Sequence, residues 1–134
     1  MSRFVIDAPT LLHAVTAGRA IDPAHQLVAP GSIRSQALDL LLARVRDGEL
    51  TEADALTLHE RITETRIRTL ADRVSRRVAW TLAREHGWET VRDAEHLALV
   101  RLQADALATV DERLAALADG IVPVVEAERL FVPR

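Results

Sequence analysis

Short apolar runs closed by an acid or a proline alternate along this chain with longer stretches of helical period. That alternation restricts the fold more than any other feature. Phe4-Val5-Ile6 ends at Asp7, Gln26-Leu27-Val28-Ala29 at Pro30-Gly31, and Ala106 to Val110 at Asp111. Runs this short, bounded by turn residues, read as strands, with Val122 to Val125 as a last one and Arg66 to Thr69 as an ambiguous one. Between them lie helical stripes. Leu11, Leu12 and Val15 stop at Gly18, and Ala37, Leu38, Leu41, Leu42 and Val45 stop at Gly48. Thr51 with Asp54 forms a capping box ahead of Ala55, Leu58 and Ile62. Leu70, Ala71, Val74, Val78 and Leu82 predict a long helix to His86-Gly87. Thr90 with Asp93 predicts a second capping box before Ala94, Leu97, Ala98 and Leu102, and Leu114 and Leu117 mark a brief helix to Gly120. Strands alternating with helices imply an α/β fold in three layers, a central parallel sheet flanked by helices. No repeat or linker interrupts the 134 residues, so one domain over 1–134 is expected.

Composition narrows the classes of function. With two Phe, two Trp and no Tyr, the core has to be aliphatic. All 17 basic residues are Arg, a choice that suits bidentate contacts to carboxylate or phosphate and that genome composition also produces. The absence of cysteine excludes disulfides and thiolate zinc sites. No apolar stretch approaches the ~20 residues of a membrane helix. The opening segment Met1 to Asp7 lacks a signal peptide's long apolar run, so a soluble cytoplasmic protein is expected. A net charge of −3 opposes broad non-specific binding to nucleic acid but allows a local basic patch.

Open parallel sheets bind ligands beyond the carboxyl ends of their strands. Asp7 and Asp111 each follow a predicted strand there, and Asp93 lies in the first turn of a helix able to face the same edge. Three gathered carboxylates repel one another unless cations sit among them. Mg²⁺ fits such a site because it prefers oxygen ligands and binds phosphates. The competing reading makes Asp7 and Asp111 helix N-caps and Asp93 the third residue of a capping box. Spacing alone does not decide between the two.

A resemblance bears on that choice. Phe4-Val5-Ile6-Asp7 is similar to the opening strand of PIN-domain nucleases with its first acid, and Leu27-Val28-Ala29-Pro30 to their second strand. Asp93-Ala94-Glu95-His96-Leu97-Ala98-Leu99 resembles the family's Asp-Ala-x-Tyr-x-Ala-Leu helix motif, with His96 in place of Tyr. Ala108-Thr109-Val110-Asp111-Glu112-Arg113-Leu114 resembles its Thr-x-Asp-x-x-Leu element. The matches run in order over roughly residues 4 to 125, and the VapC-like toxins of bacterial toxin–antitoxin pairs are the nearest likeness. The resemblance implies a PIN-like domain and an endoribonuclease that uses Mg²⁺ or Mn²⁺. It assigns metal binding and catalysis to Asp7, Asp93 and Asp111, with Thr109 in support. It further implies an RNA substrate, a toxin homodimer and a cognate antitoxin protein whose C-terminal segment covers the groove.

The chain departs from the family at Gln36, where a Glu is usual on the helix after the second strand. Gln offers a neutral carbonyl oxygen but neither charge nor basicity. Asp39, about one helical turn on, is either a partial substitute or a solvated surface acid. Pro9 stands where the family often has a small hydroxyl residue, with Thr10 next to it. These changes leave two further readings open: a weakened PIN domain that binds RNA or metal, and a non-catalytic protein-interaction module.

On the helix after Leu70, a 100° step gathers Arg73, Arg76, Arg77, Trp80 and Arg84 on one face, opposite Ala71, Val74, Val78 and Leu82. Arginines there suit RNA phosphates, and an exposed indole suits stacking on an unpaired base. A solvated charged face, or an anchor for an antitoxin or a second copy, fits the same pattern. His59-Glu60 lacks the second His of a zinc-protease helix. His13 reads as a packed or rim residue, and His96 as a structural hydrogen-bonding group.

Overall fold

The computed structural model describes residues 1–134. Five strands, β1 (Ser2–Val5), β2 (His25–Pro30), β3 (Arg68–Leu70), β4 (Ala106–Thr109) and β5 (Val124–Glu126), form one sheet. Their order is β3-β2-β1-β4-β5, and every neighbouring pair is parallel. Strand side chains alternate between faces, and the central strands are buried on both. Phe4, Ile6, Leu27, Ala29, Ala106 and Ala108 enter one core, while Val5, Val28 and Leu107 enter the other. This two-sided burial explains why the strands read as continuous apolar runs rather than alternating ones. The edge strands β3 and β5 carry Arg68, Thr69 and Glu126, which remain exposed.

The helices α1 (Ala8–Ala17), α2 (Ile33–Arg46) and α3 (Glu52–Glu64) cover the first face, through Leu11, Leu12, Ile33, Ala37, Leu41, Leu58 and Ile62. The second is covered by α4 (Arg73–His86), α5 (Arg92–Gln103) and α6 (Glu112–Ala118), through Ala79, Leu82, Leu97, Leu99, Leu114 and Ala118. Three layers result. The chain steps outward from β1 to β3, then returns across the sheet to start β4 on the other side of β1. The order therefore reverses between β1 and β4, and a crevice opens there at their carboxyl ends. Pro9 sits in the first turn of α1, where its missing N–H costs nothing, and Gly18 ends that helix at φ 66°.

Several local expectations are corrected. Leu42 is exposed, and α2 packs through buried Ile33, Ala37 and Leu41, with Leu38 and Leu40 partly buried beside them. The long helix begins at Arg73 rather than Leu70, because Leu70 pairs with Pro30 as the end of β3 and Asp72 caps the Ser75 N–H at 2.7 Å. Its inward face is Ser75, Ala79, Leu82 and Ala83, whereas Val74 is 59% exposed. Small residues there let α4 lie close against α5, and close approach outweighs the apolar character of Val74. Leu102 and Val110 are also partly exposed. Thr51 does cap Asp54 as expected. Thr90 does not cap Asp93: Val91 occupies the N-cap position of α5 without any side-chain bond.

Candidate active site

Asp7 leaves β1 in extended conformation (φ −102°, ψ 174°) and is 4% exposed. Although it precedes α1, its carboxylate caps no backbone N–H. Its oxygens are taken by two hydroxyls instead. Thr10 Oγ1 donates to Oδ1, and Thr109 Oγ1 donates to Oδ2 at 3.0 Å. Each hydroxyl in turn accepts a backbone N–H, from Val110 onto Thr10 at 3.0 Å and from Asp111 onto Thr109 at 2.9 Å. The first turn of α1 is thereby locked to the end of β4. Both threonines are buried, and no Arg or His stands in salt-bridge contact with Asp7. A buried carboxylate held only by neutral donors is costly, and it favours a cation nearby.

Asp111 lies two residues beyond the end of β4 and does act as an N-cap. Its Oδ1 accepts the N–H groups of Arg113 at 2.9 Å and Leu114 at 3.2 Å. Its Oδ2 lies 3.7 Å from the Arg113 guanidinium. Arg113 reaches across to Asp93 in the first turn of α5 and donates to both oxygens, at 2.8 and 3.0 Å. Those hydrogen bonds hold the Asp93 carboxyl below its ordinary range and push the Arg113 guanidinium upward. The helix instead begins at Arg92 with Val91 at its N-cap, so Asp93 is its second residue and its carboxylate pairs with Arg113 rather than with a capping backbone N–H. A path therefore runs Asp7, Thr109, Asp111, Arg113, Asp93. As placed, no three His, Asp or Glu side chains form a ready cation cage. The donors are nonetheless all hard carboxylate oxygens, the ligand chemistry that Mg²⁺ and Mn²⁺ prefer.

The remaining predicted residues divide. Gln36 is half-buried and donates its amide to Ser32 Oγ at 3.0 Å, within its own helix. Asp39 is exposed and makes no side-chain hydrogen bond or ion pair, so neither residue is bonded to the three acids. Arg73, Arg76, Arg77, Trp80 and Arg84 all lie exposed on α4, with Trp80 at 58%. Of these, Arg76 lines a crevice of about 280 Å³ at the carboxyl ends of β2 and β3, with Gly31, Ser32, Leu70 and Glu95. That crevice opens on the same sheet edge as the acids. A hollow of about 450 Å³ includes Pro9 and Val110, neighbours of the site, together with His13 and Arg44. His96 is buried; its Nδ1 donates to the Arg92 carbonyl at 2.9 Å, and its Nε2 has no hydrogen-bond partner.

Two members had no settled role in the sequence. Thr10 stood there as an open substitute for the hydroxyl that Pro9 displaces, and its hydroxyl reaches Asp7 from one turn along the helix. Arg113 lay inside a recognised motif without a role, because its partner is 20 residues away on another helix.

Fold and site together define a three-layer α/β protein with carboxylates at the switch point of a parallel sheet. The crystal structure of PAE2754 from Pyrobaculum aerophilum has this fold, with a TM-score of 0.74 over 96% of this chain and 92% of that one. The sequence identity is 21%, so the likeness is one of fold. No protein-family model and no curated protein matches the sequence. No helix is long and apolar enough to cross a membrane.

Proposed function

We propose that this chain is a PIN-type endoribonuclease dependent on Mg²⁺ or Mn²⁺, acting as the toxin of a cytoplasmic toxin–antitoxin pair. The observation that carries the reading is the path of hydrogen bonds, with one ion pair, from Asp7 through Thr109, Asp111 and Arg113 to Asp93. It spans the carboxyl ends of the two central strands that flank the switch point. Asp7, Asp93 and Asp111 would hold the metal. A bound divalent ion there supplies Lewis-acid polarisation of the phosphodiester and activation of water.

The protein's own groups do the positioning. Thr10 and Thr109 fix both oxygens of Asp7, and the two backbone N–H groups on Asp111 Oδ1 hold that carboxylate with Oδ2 3.7 Å from Arg113. The α4 arginines attract phosphates toward the edge that Arg76 already lines, and Trp80 offers a stacking plane. The exposed Val74 and Trp80 on the same helix suit a cognate antitoxin or a second toxin copy.

The test is cleavage of a mixed tRNA and rRNA pool by the purified protein in Mg²⁺, Mn²⁺ or EDTA. Discrete cuts are expected with either metal and none in EDTA. Cutting that persists in EDTA, or none in any condition by folded protein, would refute the reading.

The weakened-enzyme reading rests on Gln36, and the Gln36–Ser32 bond bears on it. Because that side chain turns back along its own helix, Gln36→Glu is expected to leave the cleavage rate within a small factor. It should also stabilise α2 slightly, by placing an acid near the helix N-terminus. A large gain in rate, measured on the same RNA pool, would favour the weakened-enzyme reading instead.

A further inference from the structure

We infer that Arg113 is the built-in cation of the acidic site, neutralising Asp93 and Asp111 until a divalent ion displaces it. The inference rests on the metal-dependent reading above and adds a gate to it. Both oxygens of Asp93 are occupied by the guanidinium, and Asp111 has one oxygen on backbone N–H groups and the other 3.7 Å from Arg113. A metal using these acids therefore competes with Arg113 for the Asp93 oxygens and for the space and charge beside Asp111. An arginine cannot do so by losing its proton, so it has to move. Movement is unhindered: the Arg113 side chain is 62% exposed and stands on the first turn of α6, where the backbone stays fixed. Once turned out, the same guanidinium stands at the sheet edge where a phosphodiester would lie, and its fork matches phosphate oxygens.

Competition of this kind lowers apparent metal affinity by the fraction of molecules in which the acids are free. The pair is open to solvent on the arginine side, so the effect is moderate. In titration calorimetry, Mn²⁺ is expected to bind Arg113→Ala roughly three- to tenfold more tightly than the wild type. Arg113→Lys keeps the charge but loses the two-pronged contact, and it should fall between them. In EDTA the Arg113→Ala protein should melt lower than wild type, and its rise in Tm on adding Mn²⁺ should be larger. The gain in affinity should vanish in the Asp93→Asn/Arg113→Ala protein.

Equal or weaker Mn²⁺ binding by Arg113→Ala, with the wild type still binding, would overturn the gate and leave the metal site standing. A gain that survives Asp93→Asn would likewise overturn it. No Mn²⁺ binding by wild type or Arg113→Ala would remove the metal site, and the gate with it.

Discussion

Asn in place of Asp93 is expected to lower metal-dependent RNA cleavage by about 100-fold or more while leaving the protein folded. The size follows from the roles involved. Groups that merely orient a metal ligand already cost about 10- to 100-fold when removed, and Asp93 is proposed as a ligand itself. The fold is spared because Asp93 lies in the first turn of α5 and not in either core, while Ala94 and Leu97 continue to anchor that helix. The stability effect is a separate, smaller quantity. Arg113 depresses the Asp93 pKa in the folded state. The pair therefore contributes stability above the unfolded carboxyl pKa of about 3.9, and that contribution is lost as pH falls through the lower folded value. Solvent reaches Arg113 freely, so the contribution is about 1 kcal/mol or less. Thermal melts at pH 7 and pH 3 should show the variant below wild type at the first and closer to it at the second. Initial cleavage rates measured beside those melts separate the two effects, and near-normal rates for Asp93→Asn would remove the residue from the site.

Thr109→Val is the second change with a large expected consequence, and it acts by a different route. The substitution preserves shape and removes one hydroxyl. That hydroxyl donates to Asp7 Oδ2 and accepts the Asp111 N–H, at a position only 8% exposed. Valine leaves a buried carboxylate oxygen and a backbone N–H without partners, at about 1–3 kcal/mol for each such group left unsatisfied. The melting temperature should fall by several degrees, more than for Asp93→Asn. Cleavage should also drop by about 10- to 100-fold, because Asp7 and Asp111 lose the link that fixes their relative position. Thr109→Ser keeps the hydroxyl and should recover most of the activity. Unchanged stability in the valine variant, read by calorimetry, would mean that the hydroxyl bridge contributes nothing.

The fold was legible because its central strands are buried on both faces. Phe4-Val5-Ile6, Leu27-Val28-Ala29 and Ala106-Leu107-Ala108 had to be continuously apolar, and each ended in a residue that stops a strand. Asp7 and Asp111 were visible for the same reason. What one strand end does with its acid was not visible. Asp7 and Asp111 occupy equivalent positions before helices, yet one caps backbone N–H groups and the other is claimed by two hydroxyls from separate elements. The face of α4 was misplaced because apolar periodicity weights Val74 and discounts Ser75, whereas packing against α5 rewards small side chains at Ser75, Ala79 and Ala83. The Thr90–Asp93 spacing fitted a capping box perfectly well. The helix starts one residue later, with Val91 at its N-cap, and the spacing alone does not reveal that register.

Whether Asp7, Asp93 and Asp111 share a divalent cation is read from crystals soaked in Mn²⁺. Anomalous scattering locates the ion without reference to any assay. A peak bounded by the three carboxylates is expected, with the Arg113 guanidinium turned away from Asp93. Mn²⁺ bound elsewhere, or none at these acids while the same protein cuts RNA in a Mn²⁺-dependent manner, would contradict it.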